Sequence, residues 1–252
     1  MKRIEITICT LFILLCFTKL QADGFQTSNN QMKGLAILGD AWHCAAPQYM
    51  FIVKQMEKKG IITDVVYDYD VPFDKLADYD IIVISRYGLN DLESFEGGYF
   101  LTPEWHKNKW LTGEQEKLIE EYVNQGGKLL LHHDAHAFYS ENGSIAKLAK
   151  ATHDGHPPAI KTKIYPTEEL PELTKGVEAF EVVDEEFRME IDESTTVFLK
   201  SHSEKNGTTN QGWAHDYGKG KVVVLVPGHD INSFKNSMVK LLISNTLDYL
   251  NR

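Results

Sequence analysis

The stretch LLLHHDAHAFY, residues 129–139, runs from three leucines straight into three histidines and an aspartate. A run this apolar belongs in a sheet covered on both faces, because a half-exposed strand would alternate with polar residues. Its polar end then lies where the strand leaves the core, and open parallel sheets bind ligands at that carboxyl-terminal edge. Similar blocks recur as KGLAILGD (33–40), DVVYDY (64–69), YDIIVISR (79–86) and GKGKVVVLVPGHD (218–230). Helical patterns separate them. Tyr49, Ile52, Val53 and Met56 form a stripe that predicts a helix over 47–59, stopped by Gly60. Thr112 and Gln115 form a capping-box pattern, opening a helix that Gly126 and Gly127 end. A closing helix is expected over 233–250, with Met238, Leu241 and Leu242 on one face.

Strands alternating with helices predict an α/β fold with a mainly parallel sheet and helices on both faces. After Pro158 come shorter extended pieces, AIKTKIY, EAFEVVDEEF and TTVFLKS. The Gly- and aromatic-rich stretch 88–109 reads as a long loop over the sheet. There are no repeats and no low-complexity linker, so residues 23–252 are expected to form one domain.

Residues 1–22 read as a signal peptide: Lys2 and Arg3 precede an apolar run, and Ala22 is the small residue before a cleavage point. The run is shorter than the ~20 residues of a spanning helix, so stable membrane insertion is not expected. Export to the periplasm or beyond is. Losing three cations and one anion with this segment takes the formal charge from −10 to −12. So acidic a domain argues against nucleic acid or anionic lipid as partners and suits a neutral sugar or oligosaccharide. Cys9 and Cys16 leave with the signal, and Cys44 alone forms no internal disulfide.

The chain has ten histidines. The expected strand ends carry Asp40 to His43, Arg86 to Leu89, His132 to His136 and Gly228 to Asp230. A catalytic zinc takes about three N/O ligands and keeps one position open. His43, His133, His136 and His229 could supply them, although no H-E-x-x-H pattern is present. Strict alternation would send His132 and Asp134 to one face and His133 to the other. Acid–base chemistry is the second reading, since histidine titrates near neutrality and Asp230, Asp184 and Glu185 are carboxylates within reach. By themselves, Asp184 and Glu185 read as a solvated acidic turn. Trp213 is either core or a platform for a sugar ring. Cys44 does not stand on the strand-to-helix turn a nucleophile would occupy, and no G-x-G-x-x-G or Walker loop supports a nucleotide cofactor.

Taken in order, WHCAAPQYMFIVKQMEKKG, YDIIVISR, GGKLLLHHDAHAFY, GHPP, LTKGVEAFEVVDEEF and GWAHDYGKGKVVVLVPGHD resemble the trehalose-utilisation (ThuA-like) family. The resemblance implies a flavodoxin-like sheet of the class I glutamine amidotransferase type, without amidotransferase activity because the elbow cysteine is missing. It implies carbohydrate utilisation, with oxidised (keto) glycosides as a substrate class, and in some members a divalent metal held by histidines. The matching polar positions are His43, His133, His156, Glu185 and His229, with Asp230 beside the last. On this reading His133, His229, Glu185 and Asp230 are catalytic, while His43, His156 and Trp213 bind substrate. His43, His133, His136 and His229 are the metal candidates, zinc first. The sequence departs from the family pattern at His132, Asp134 and His136. The competing expectation is a non-catalytic sugar-binding protein using Trp105, Trp213 and the aromatics of the 88–109 stretch.

Overall fold

Unbroken aliphatic runs leave no face for water, and they occupy the centre of the sheet. A computed structural model describes residues 31–67, 70–89, 109–153 and 155–252. The expected signal peptide, most of the 88–109 loop and Trp105 lie outside the described residues. The strands are β1 (Lys33–Leu38), β2 (Ile62–Val66), β3 (Ile81–Ser85), β4 (Lys128–His132), β5 (Ala151–His153), β6 (Ile160–Pro166) and β7 (Phe180–Asp184). They continue with β8 (Met189–Ile191), β9 (Thr196–Ser203), β10 (Gly207–Tyr217) and β11 (Gly220–Leu225). The helices are α1 (45–58), α2 (Gly113–Asn124), α3 (Ser144–Ala149), α4 (Ile231–Lys235) and α5 (Ser237–Leu250).

Nine strands form one sheet in the order β2-β1-β3-β4-β11-β10-β9-β6-β7. The first five are parallel. Their order is the flavodoxin-like 2-1-3-4-5, which reverses between β1 and β3. From β11 onward the sheet runs antiparallel, more of it than the short pieces after Pro158 indicated. β10 was missed altogether: GTTNQGWAHDY is too polar to read as a strand, yet it is paired on both sides. β5 and β8 pair separately.

Alternation along β4 divides the core between two layers. Leu129 and Leu131 pack with Ile119 and Val123 of α2 and Leu148 of α3. Leu130 packs on the other face with Met56 of α1 and Leu242 of α5. The Thr112–Gln115 capping box is present at α2. Helix α1 forms where its stripe predicted, but Tyr49–Val53 is wound as a π-helix, a bulge that recurs near functional sites. The closing helix differs from expectation. It is broken at Asn236, which leaves helical geometry and accepts a hydrogen bond from the Met238 amide to begin α5. No helix among the described residues is long and apolar enough to cross a membrane.

Candidate functional site

The strand in LLLHHDAHAFY stops one residue earlier than strict alternation assumes. β4 ends at His132, and His133 takes φ 58°, a left-handed conformation that costs a non-glycine residue energy and is concentrated at functional sites. His132 therefore keeps the strand's parity and stays in the core. Its ring stacks on Phe234 at 5.4 Å, with Nδ1 2.9 Å from Ser85 Oγ and Nε2 3.2 Å from the Pro227 carbonyl. Burial, reinforced by the neighbouring His133, lowers its pKa to about 3, so it is a neutral structural group.

The turn at His133 brings its imidazole together with two others. Its ring centre is 4.8 Å from that of His43 and 5.2 Å from that of His229, and His43 lies 5.1 Å from His229. His43 follows β1 at the reversal point of the strand order, and His229 follows β11. Glu185 arrives from the exit of β7, so its carboxylate is buried rather than part of a solvated acidic turn. One ligand atom from each of these four residues lies within 4.8 Å of the others.

Each imidazole is oriented from behind. His133 Nδ1 donates to the Val226 carbonyl at 2.8 Å, which leaves Nε2 pointing into the cluster. His43 Nδ1 lies 2.8 Å from Asp40 Oδ1 and 3.2 Å from Asp134 Oδ2. Asp40 is itself fixed by the amides of Trp42, His43 and Tyr87. Burial opposes a charge on His43, but Asp134 and Asp40 outweigh it and raise its pKa. Burial also opposes a charge on His133, yet Glu185, Asp134 and Asp184 hold its pKa at about 9. For Glu185 burial acts upward, and the facing His133, His229 and His156 overcome it, leaving about 2. Burial raises the pKa of Asp134 to about 6, against the lowering effect of the facing His43. His229 is lowered by burial and then by His133, so its lone pair is available.

The closest contacts test whether a cation would fit. His133 Nε2 and His229 Nδ1 are 3.2 Å apart, and Glu185 Oε2 is 3.3 Å from the first and 3.5 Å from the second. Donors at ~2.0–2.1 Å around a tetrahedral zinc stand about 3.4 Å from one another. Glu185 Oε2 is buried, and its charge is met from the facing His133 and His229 imidazoles, by a proton or by a cation that takes its place. The donor set of two imidazoles and one carboxylate, with His43 alongside, can hold a divalent metal.

Other expected site residues lie elsewhere. His136 is outside the cluster: its ring packs edge-on against Phe187 at 5.1 Å and Trp213 at 5.8 Å. Asp230 faces away as the N-cap of α4, accepting from the Asn232 and Ser233 amides, because the chain must start a helix there. Trp213 is fully buried and donates to the Ala149 carbonyl, so it is core and no sugar platform. His156 reaches the rim, with Nδ1 3.4 Å from Glu185 Oε1 and 3.0 Å from the Pro157 carbonyl. Asp40 and Asp134 carry roles that the sequence does not announce, and Asp184, a candidate acid–base partner that alone reads as a solvated turn, is fully buried. The Gly-Asp after β1 was the available signal for Asp40.

A family model described as trehalose utilisation (ThuA) matches residues 41–250. In fold the chain is similar to a ThuA-like protein from Bacteroides uniformis, at 17% identity over 90% of this chain and 94% of that one, TM-score 0.66. It is likewise similar to a ThuA-like protein from Parabacteroides merdae, at 15% identity over 87% and 90%, TM-score 0.66. A Salmonella typhimurium protein described as cytoplasmic superposes at 19% identity over 87% and 99%, TM-score 0.65. No curated protein matches the sequence. With more than four-fifths of its length matched by the family model, and the flavodoxin-like order of its parallel strands agreeing, this chain belongs to the trehalose-utilisation (ThuA) family.

Proposed function

We propose that this protein is an exported, metal-dependent enzyme acting on oxidised (keto) glycosides or oligosaccharides. The observation that carries the reading is the trio of buried His133, buried Glu185 and half-buried His229, whose three mutual distances of 3.2, 3.3 and 3.5 Å fit the edges of one coordination polyhedron. A divalent ion, zinc by its N/O donor set, would supply Lewis acidity towards a sugar oxygen. The carbohydrate class rests on family membership, and export rests on the pattern of residues 1–22.

The chain's own groups divide the remaining work. Val226 fixes the His133 ring through Nδ1. His43, gripped through Nδ1 by Asp40 and Asp134, is the group that moves a proton at the substrate, because two carboxylates stabilise its charged form. His156, 29% exposed at the rim beside Glu185, is placed to bind a substrate hydroxyl. Full burial of Trp213 removes one of the two named stacking platforms of the competing sugar-binding reading.

The test combines elemental analysis with turnover of native and oxidised disaccharides. Wild type should carry about one zinc per chain and form product that a chelator abolishes and zinc restores. His133→Ala should lose the metal, whereas His43→Ala should keep it and lose at least ~100-fold in kcat. Retention of glycans with no metal and no product would defeat the proposal and favour a binding protein.

A further inference from the structure

Three consecutive acids, Asp184, Glu185 and Glu186, are all buried, and each faces a different part of the fold. Glu186 turns to the antiparallel half: it accepts from Thr162 of β6, from Ser201 at 3.1 Å and Ser203 at 2.7 Å in β9, and from Asn206 at 2.6 Å. Asp184 turns the other way, to the loop that follows β11. Its Oδ2 accepts from the Gly228 amide at 2.9 Å and from the Ser233 hydroxyl. Its Oδ1 accepts from the His229 amide at 3.3 Å and from the Glu185 amide at 2.8 Å. Four donors fill the acceptor sites of one carboxylate.

This contact joins distant parts of the sheet. β7 stands four strand steps from β11, about 19 Å in a flat sheet, so the antiparallel half must curl back for Asp184 to reach Gly228. Glu185 and His229 thus come from opposite ends of that half, and one side chain bonds to the backbone amides of both. We infer that Asp184 is a positioning residue that fixes the Glu185 carboxylate and the His229 imidazole at ligand spacing. The inference rests on the metal-site reading above and adds what sets the geometry of that site. Asp184 is fully buried and holds both residues by their backbone amides, while its charge also favours the charged form of His133.

Asp184→Asn is the informative substitution. It preserves volume, but one of the two acceptor atoms becomes an NH2 group, and either orientation turns that group towards two existing donors. Zinc affinity, read by competition with a chromophoric chelator, should fall about 10- to 100-fold while circular dichroism stays that of wild type. Cobalt substituted for zinc should show an altered visible spectrum. In a cycle with His229→Ala, the double variant should lose less than the product of the two single losses, because the ligand that Asp184 places is already gone. Independent, multiplicative losses would overturn the inference and indicate a general effect on the fold. Should Asp184→Asn not fold, Ser233→Ala removes one donor and leaves the charge; it should weaken zinc several-fold, and unchanged affinity overturns the inference. Failure of wild type to bind zinc would sink the metal reading with it, whereas equal affinity in wild type and Asp184→Asn would sink this inference alone.

Discussion

At the residue scale, the chemistry turns on protons that must leave before a cation can enter. Glu185 is ionised at any moderate pH, since its pKa lies at about 2, but His133 holds its proton up to about 9. An ion sharing His133 Nε2 must displace that proton, so affinity rises with pH until His133 is neutral without help. Zinc affinity should increase at least about tenfold per pH unit between pH 6 and 8. Calorimetry in buffers of different ionisation enthalpy should record one or more protons released per ion. Affinity that is flat with pH, with no proton released, would show that His133 is not a ligand. The strand ends drew attention to His43, His133 and His229, and family resemblance added His156 and favoured Glu185. Asp134 and Asp184 stayed illegible because what matters is the group each carboxylate faces. Those partners are 91 residues away for Asp134 and His43, and 44 for Asp184 and Gly228.

Elements place these residues through their ends more than through their interiors. β4 delivers His133 because it stops at His132, and the β11 exit delivers His229 because Gly228 adopts φ +135° and lies close over the His132 ring. A Cβ at position 228 would stand 2.7 Å from His132 Nε2. Gly228→Ala should therefore cost about 2 kcal/mol or more in denaturant unfolding and weaken metal binding by moving His229. Stability and metal content like those of wild type would mean that the turn is not set by this approach. Strand cores, helix α1 and the α2 cap could be read directly from periodicity, since each depends on local spacing. The break at Asn236 could not, because 233–250 is apolar enough to read as one helix. Nor could β10, whose polar composition is offset by pairing with β9 and β11.

For the whole molecule, two buried neutral histidines weaken the fold as the solution turns acid. Burial holds His132 at about 3 and, together with Lys150, holds His215 at about 4. Above pH 6.5 both are neutral whether the chain is folded or not. As pH falls below that, the unfolded chain takes up protons that the folded one refuses, and stability declines by up to about 1.4 kcal/mol per pH unit for each residue. The Leu148 backbone favours the charged form of His215, but burial and Lys150 outweigh it. His215→Leu should therefore stabilise the metal-free protein, by about 1–2 kcal/mol more at pH 5 than at pH 7 in urea unfolding. An equal change at both pH values would show that His215 is not held neutral in the fold. Apolar periodicity, turn residues and the ordered motifs sufficed to establish the α/β class, the family and the edge of the sheet that carries the histidines, because all three are written in local spacing. Which of those groups meet was decided by tertiary structure alone. The curl of the antiparallel half brings Glu185 to His133 and His229, while close packing commits His132, His136 and Trp213 to the interior. Such encounters depend on where the chain returns in space, and no pattern of neighbouring residues records that.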